Sequence, residues 1–167
     1  SSPNNDNYVT IKNLFLRAKL RNDVFSDVTF LRSYTIKEGM RPDNVAEEIY
    51  GNSQLDWIIL VTANIINVRE EWPMSSNVLY QYCEDKYGLA INDTRHHETE
   101  EVRNAEGKLV IPAGQIVDAD YTIPNPLVFN TTINPVVPIS NFLAETRVNE
   151  AKRNIKIMRR EYLTMFM

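Results

Sequence analysis

The chain is short of several things at once: it has one cysteine, five glycines and no excess of positive charge. A lone Cys83 excludes an intramolecular disulfide and leaves the redox compartment open. Five glycines give little material for a phosphate-cradling loop, and no G-x-S-x-G elbow is present. A net charge of -4 and a pI near 5.2 argue against a general nucleic-acid binder, whose affinity comes mainly from neutralising phosphates. No apolar run reaches the length that crosses a bilayer, and no signal peptide is visible. The expectation is a soluble chain made in the cytosol, with neither nucleic acid nor membrane as partner. At 167 residues it fits one ordinary domain, or a small domain with long arms.

What is there is concentrated between Ser33 and Pro73. Tyr34-Thr35-Ile36-Lys37 alternates and meets Glu38-Gly39, a strand closed by a turn. Pro42 stands at a first helical position, where its missing N–H costs nothing. Val45, Ala46, Ile49 and Tyr50 form one apolar helical stripe, and Gly51 can take the left-handed stop. Ser53 with Asp56 reads as a capping box for a second, mostly apolar helix through Leu55, Trp57, Ile58, Leu60 and Val61, with Asn64 as its stop. Strand, helix, helix is the expected core.

The rest is thinner. From Tyr8 to Phe30 apolar and basic residues mix without a clear period, so an arm across another surface and a strand packed on this chain's own core both stay open. Ser75 or Ser76 starts a third helix with Val78, Leu79, Tyr82 and Cys83 on one face, ended by Gly88. The polar run Thr94–Val102, the turn Asn104–Gly107 and the strand Leu109–Ile111 make a hairpin with little apolar surface, which needs support. Pro124, Pro126, Pro135 and Pro138 then mark an extended or polyproline connection from Tyr121 to Ile139. Ser140 caps a last helix to about Arg153 whose apolar positions are Leu143 or Ala144, Val148, Ala151 and Ile155. Asn154–Met158 alternates as a strand, and an apolar tail follows that is expected to dock.

Chemistry finds little footing. His96 and His97, beside Glu98, Glu100 and Glu101, point to opposite faces of a strand and cannot share one metal without a bend. Cys83 reads as a small buried hydrophobe. Trp57 is expected in the core and Trp72 is open to a surface role. The basic run Lys152, Arg153, Lys156, Arg159 and Arg160 suits phosphate, an acidic protein face or a solvated helix edge, and the net negative charge favours a protein partner over DNA. No catalytic residue, metal or cofactor is expected.

The order and residues of Tyr34-Thr-Ile-Lys-Glu-Gly39, Val45-Ala46, Tyr50-Gly51 and Leu55–Leu60 to Asn64 resemble a LysM domain. Met40-Arg41 stands where such modules carry Asp-Thr, and Asn67–Pro73 stands where their closing strand would come. Three blocks extend the likeness: Ile11–Phe15 with Tyr34–Pro42 and Val45–Gly51; Trp57–Leu60, Asn64, Glu71–Pro73 and Tyr82–Gly88; and Asn149–Met158 leading to Glu161–Phe166. Together they resemble the baseplate wedge subunit of T4-like contractile-tailed phages that contains a LysM-like domain. The resemblance implies a non-catalytic virion protein of the tail baseplate, made in the host cytoplasm. Its implied partners are other wedge proteins, adjacent wedges and the tail hub or sheath-initiating protein. The fold class expected is α+β: an N-terminal arm (1–32), a LysM-like domain with its following helix (33–88), a hairpin and proline-rich connection (89–139), and a C-terminal helix and docking tail (140–167). Candidate partner-binding residues are Leu14, Phe15, Trp72, Lys152, Arg153, Ile155, Ile157, Tyr162 and Phe166. Two other functions compete: a LysM module binding peptidoglycan or chitin-type glycans, and a wall hydrolase, which would need an acid and a nucleophile in one cleft.

Overall fold

The alternating run at Leu31–Thr35 forms a strand, β1, but its partner is not nearby in sequence. A computed structural model of the chain describes residues 30–165. In it β1 pairs antiparallel with β9 (Asn154–Met158), in the register Leu31 with Met158 through Thr35 with Asn154. The expected strand at Asn154–Met158 is therefore present, and it supplies the closing edge that Asn67–Pro73 does not. By contact the chain divides into two units, Ser1–Ser76 with Asn149–Met167, and Asn77–Val148. This grouping joins the last strand to the first segment, where the sequence suggests four successive parts. The mixture of helices and strands makes the fold α+β.

In the first unit Pro42 opens helix α1 (Pro42–Tyr50), and the Asn44 side chain accepts the Arg41 N–H at 3.0 Å. Val45, Ala46 and Tyr50 are buried as the stripe predicts, and Gly51 closes the helix at φ 71°. The second helix starts differently from the expectation. Asn52, not Ser53, is the cap: its Oδ1 accepts the Gln54 N–H at 2.9 Å and leads into a 3₁₀ turn, Ser53–Leu55. Asp56 bonds its neighbour's N–H, on Trp57, instead of reaching back to Ser53. Helix α2 (Asp56–Thr62) then buries Ile58 and Ile59. It ends in a Schellman motif, with Ile65 N–H on Leu60 O at 2.8 Å, Asn64 N–H on Val61 O at 3.1 Å, and Asn64 at φ 58° as expected.

A four-residue helix, α3 (Val68–Glu71), occupies the place where LysM modules carry a closing strand. Glu71 reaches back to take the N–H groups of Ile66 and Asn67 at 2.9 and 2.6 Å. The core gathers Ile36, Val45, Ala46, Ile58, Ile59, Ile157 and Met158, all nearly solvent-free, around Tyr50 and Trp72. Each buried isoleucine or valine contributes about 1.5–3 kcal/mol relative to exposure. A final 3₁₀ segment, Arg160–Met165, buries Leu163 and sets Tyr162 edge-on to Phe30, centroids 4.6 Å apart.

The second unit is entered through α4 (Ser76–Tyr87), which buries Leu79 and Cys83 but leaves Val78 and Tyr82 exposed, a narrower apolar face than expected. Gly88, at φ 54°, turns the chain into a 3₁₀ segment, Gly88–Asn92. β2 (Thr94–Thr99) is the central strand of a three-stranded sheet between β5 (Ile116–Val117) and β8 (Val136–Ser140). The expected hairpin is present only around its turn: Thr94–Thr99 goes to the three-stranded sheet, and β3 (Val102–Arg103) pairs with β4 (Leu109–Ile111) across a turn held by Asn104, whose Oδ1 accepts from both Glu106 and Lys108.

Of the two geometries expected for the proline-marked connection, the extended one is present as short strands. β6 (Ile123–Pro124) pairs with β7 (Thr132–Ile133), and β8 pairs with β2. Pro138 fits because β8 lies at a sheet edge, where a strand can spare a donor. Helix α5 (Asn141–Ala151) is capped by Ser140, whose Oγ accepts the Leu143 N–H. Its expected apolar stripe is largely exposed; the buried residue is the polar Asn149. The unit boundary falls within this helix, at Val148/Asn149.

Candidate functional site

The C-terminal basic run is held mostly by intramolecular bonds. Arg153 gives its Nε to the Glu150 carboxylate at 2.9 and 3.0 Å, Nη2 to Glu38 at 2.6 Å and Nη1 to the Ile36 carbonyl at 3.3 Å. Its own carbonyl accepts the Ile36 N–H, so Arg153 staples β9 to the end of β1. Glu38 also accepts the Ser76 N–H, and that bond first, then Arg153, holds its carboxyl below the usual range. Lys152 bonds the Glu70 carbonyl and Lys156 the Ser33 hydroxyl. Arg159 and Arg160 remain exposed.

Of the other sequence candidates, Ile157 is wholly buried and Trp72 is 7% exposed. Trp72 gives its ring N–H to the Met40 carbonyl at 2.7 Å and belongs to the core, so the surface role left open for it is not taken up; Trp57 is half-buried and packs against the same core. Hydrophobic packing within the unit already uses both Ile157 and Trp72. Ile155 and Tyr162 are half-buried against the same core. Leu14, Phe15 and Phe166 lie outside the described residues, as does the whole stretch 8–29. The structure thus brings Lys152, Arg153, Ile155, Ile157, Tyr162 and Trp72 into one unit, chiefly as its framework.

That unit carries a cleft of about 410 Å³ with Leu60, Trp72 and Pro73 in its lining and Arg41, Asp43, Asp56 and Arg69 as its charges. Two cations and two carboxylates leave it electrically balanced, and Arg41 Nε lies 3.3 Å from Asp43 Oδ1. Tyr50 is buried in the same unit, its hydroxyl donating to the Met158 carbonyl at 2.9 Å, and burial pushes its pKa up to about 12. This phenol acts as a core strut rather than as an acid at neutral pH.

In the second unit Glu98 is 9% exposed and joins two partners, His96 Nε2 at 2.7 Å and Arg147 Nη1 at 2.7 Å. The His96 bond first, then Arg147, holds its carboxyl below the usual range. Glu145 accepts from Lys86 at 2.7 Å and from the Tyr87 hydroxyl at 2.6 Å. Burial pulls Glu145 upward, but Lys86, Tyr87 and Arg95 outweigh it and its carboxyl sits low. Cys83 is fully buried, and burial with Glu145 pushes its thiol up, away from nucleophilic use.

Among the described residues no group of three or more His, Cys, Asp and Glu could hold a metal ion. No described helix is long and apolar enough to cross a membrane. The Glu98–Arg147 and Asn149–Met74 bonds escaped sequence reasoning because their partners lie far apart in the chain, with no periodic signal to connect them.

Comparison with known proteins gives these features a family. Residues 3–111 match the family model described as base plate wedge protein 53. A 57-residue stretch is 39% identical to the baseplate wedge protein gp53 of Enterobacteria phage T4, covering 34% of this chain and 29% of that relative. The chain belongs to the base plate wedge protein 53 family.

Proposed function

We propose that the chain is a structural subunit of a phage tail baseplate wedge that joins wedge proteins and clamps adjacent wedges around the hub. The observation that carries this reading is the family match across residues 3–111. The protein is a virion component, and its work is to bind other proteins rather than to catalyse. The described titratable clusters fit that reading: Arg153, Glu98 and Glu145 are occupied in fastening elements to one another. The first unit is read as LysM-like, supported by the order β1, α1, α2, β9 and the antiparallel pairing of its two strands.

A second reading, glycan binding, rests on the cleft beside Arg41–Asp43. Against it stands Trp72, whose indole is buried and whose N–H is spent on Met40, leaving no open aromatic platform there. The deciding experiment mixes the purified chain with the remaining wedge proteins of its source phage and follows them by sedimentation. Entry of the chain into a larger wedge complex is expected. Failure to enter, together with retention on peptidoglycan, would transfer the function to the second reading.

A further inference from the structure

The turn joining β6 to β7 presents Leu127, Val128 and Phe129 in succession, with exposures of 66%, 52% and 98%. Three large apolar side chains at one tip are not left there by a loose loop. Asn125 N–H donates to the Thr131 carbonyl at 2.8 Å, closing the base of the turn. The Asn125 side-chain oxygen takes the Leu127 and Val128 N–H groups at 2.9 and 3.3 Å, an Asx-type turn. Thr131 Oγ1 donates to the Val128 carbonyl at 2.9 Å, and Asn130 takes the left-handed conformation at φ 57°. The apolar tip is therefore fixed in shape before anything touches it, which lowers the entropy cost of docking.

Its electrical character narrows the partner. From Tyr121 through Ala144 there is no Asp, Glu, Lys or Arg, although 24% of the whole chain is charged. A membrane-inserting tip usually carries basic residues or tryptophan at its flanks to meet headgroups. Here the flanks are Pro124, Asn125, Asn130, Thr131 and Thr132. Neutral amides and hydroxyls suit the rim of a protein interface, with the apolar residues as its dry centre.

We infer that the Leu127–Phe129 tip is a preformed docking knob that inserts into an uncharged apolar pocket of another baseplate wedge protein. The inference rests on the wedge reading above and adds to it a contact element, one lying beyond the stretch that the family model matches. Three side chains are too small for a whole stable interface, so the knob acts as the anchor within a larger one.

The test uses the full chain with an affinity tag, mixed with the other wedge proteins of its source phage. The variants are Leu127→Ser with Phe129→Ser, and separately Asn125→Ala, which keeps the apolar groups and loosens the turn. Because the tip is exposed, the serine variant keeps the wild-type circular dichroism. The expected result is capture of a wedge protein by the wild type, weakened roughly tenfold or more by the serine pair and by a smaller factor by Asn125→Ala. Equal capture by wild type and serine variant overturns the knob while the wedge function stands. No capture by the wild type overturns both. Tip-dependent binding to neutral phosphatidylcholine vesicles, or tip-dependent self-association without capture, assigns the surface to another occupant and overturns the inference.

Discussion

Asn149 illustrates how one polar side chain organises a neighbourhood. It is 3% exposed, its Oδ1 accepts the Met74 N–H at 2.7 Å and its Nδ2 donates to the Met74 carbonyl at 2.9 Å. The amide thus satisfies both backbone groups of one residue, as a strand neighbour would. Asn149→Leu keeps much of the volume and orphans a buried donor and acceptor, at a cost of about 2–4 kcal/mol. A fall in the urea midpoint of the first unit of that size is expected; an unchanged midpoint would show that water satisfies Met74 equally well. Nothing in the sequence announced this role, because an asparagine on a helix reads as a solvent-facing residue. Legibility was better where chemistry is local: Pro42, Gly51 and Asn64 act through their own backbone preferences, and each sits where the chain alone places it. The place of Trp72 stays open in the sequence because Trp-Pro looks like a loop, while its indole is held by a carbonyl more than thirty residues earlier.

At the scale of elements, α5 is fastened by carboxylates. Glu98 on β2 meets Arg147 of α5, and Glu145 of α5 meets Lys86 and Tyr87 at the end of α4. Both carboxyls titrate below their ordinary value of 4.5 in the folded chain. Folded values depressed in this way contribute stability that is complete above the unfolded value and disappears as pH falls through the folded one. The second unit is therefore expected to keep its stability down to about pH 5 and to lose it progressively below, as read by denaturant midpoints across an acid series. Glu98→Gln should cost about 1 kcal/mol at neutral pH, a small figure because Arg147 is half-exposed, and should flatten the acid slope. A variant with the wild-type slope would place the acid sensitivity elsewhere. The elements themselves are mostly visible in the sequence: α1, α4, the Asn104–Gly107 turn with β4, and β9 follow period and turn chemistry, whereas the sheet partners of Thr94–Thr99 do not show. The pairing of β6 with β7 and of β8 with β2 was hidden, since prolines suppress the alternation that marks a strand and edge position is a property of the assembled sheet.

Across the whole molecule, the pairing of β1 with β9 brings together residues more than a hundred positions apart. The first unit owes part of its core, Ile157 and Met158, to the far end of the chain. A fragment spanning Ser1–Ser76 is expected to lack a cooperative transition, and addition of the Asn149–Met167 peptide is expected to restore one. A fragment that melts cooperatively alone would show that β9 is dispensable. No sequence signal ties the two strands together, because pairing over such a span is written only in what each leaves uncovered.

The same closure bears on how the protein is made. A nascent chain that has emerged only as far as Glu150 presents β1, α1 and α2 without the strand that completes their sheet. The first unit stays open until Asn154–Met158 has also emerged and can pair with β1. A chain cut short before Asn154 lacks the closing strand, and its first unit is expected to stay open and to be cleaved faster by added protease than the full chain.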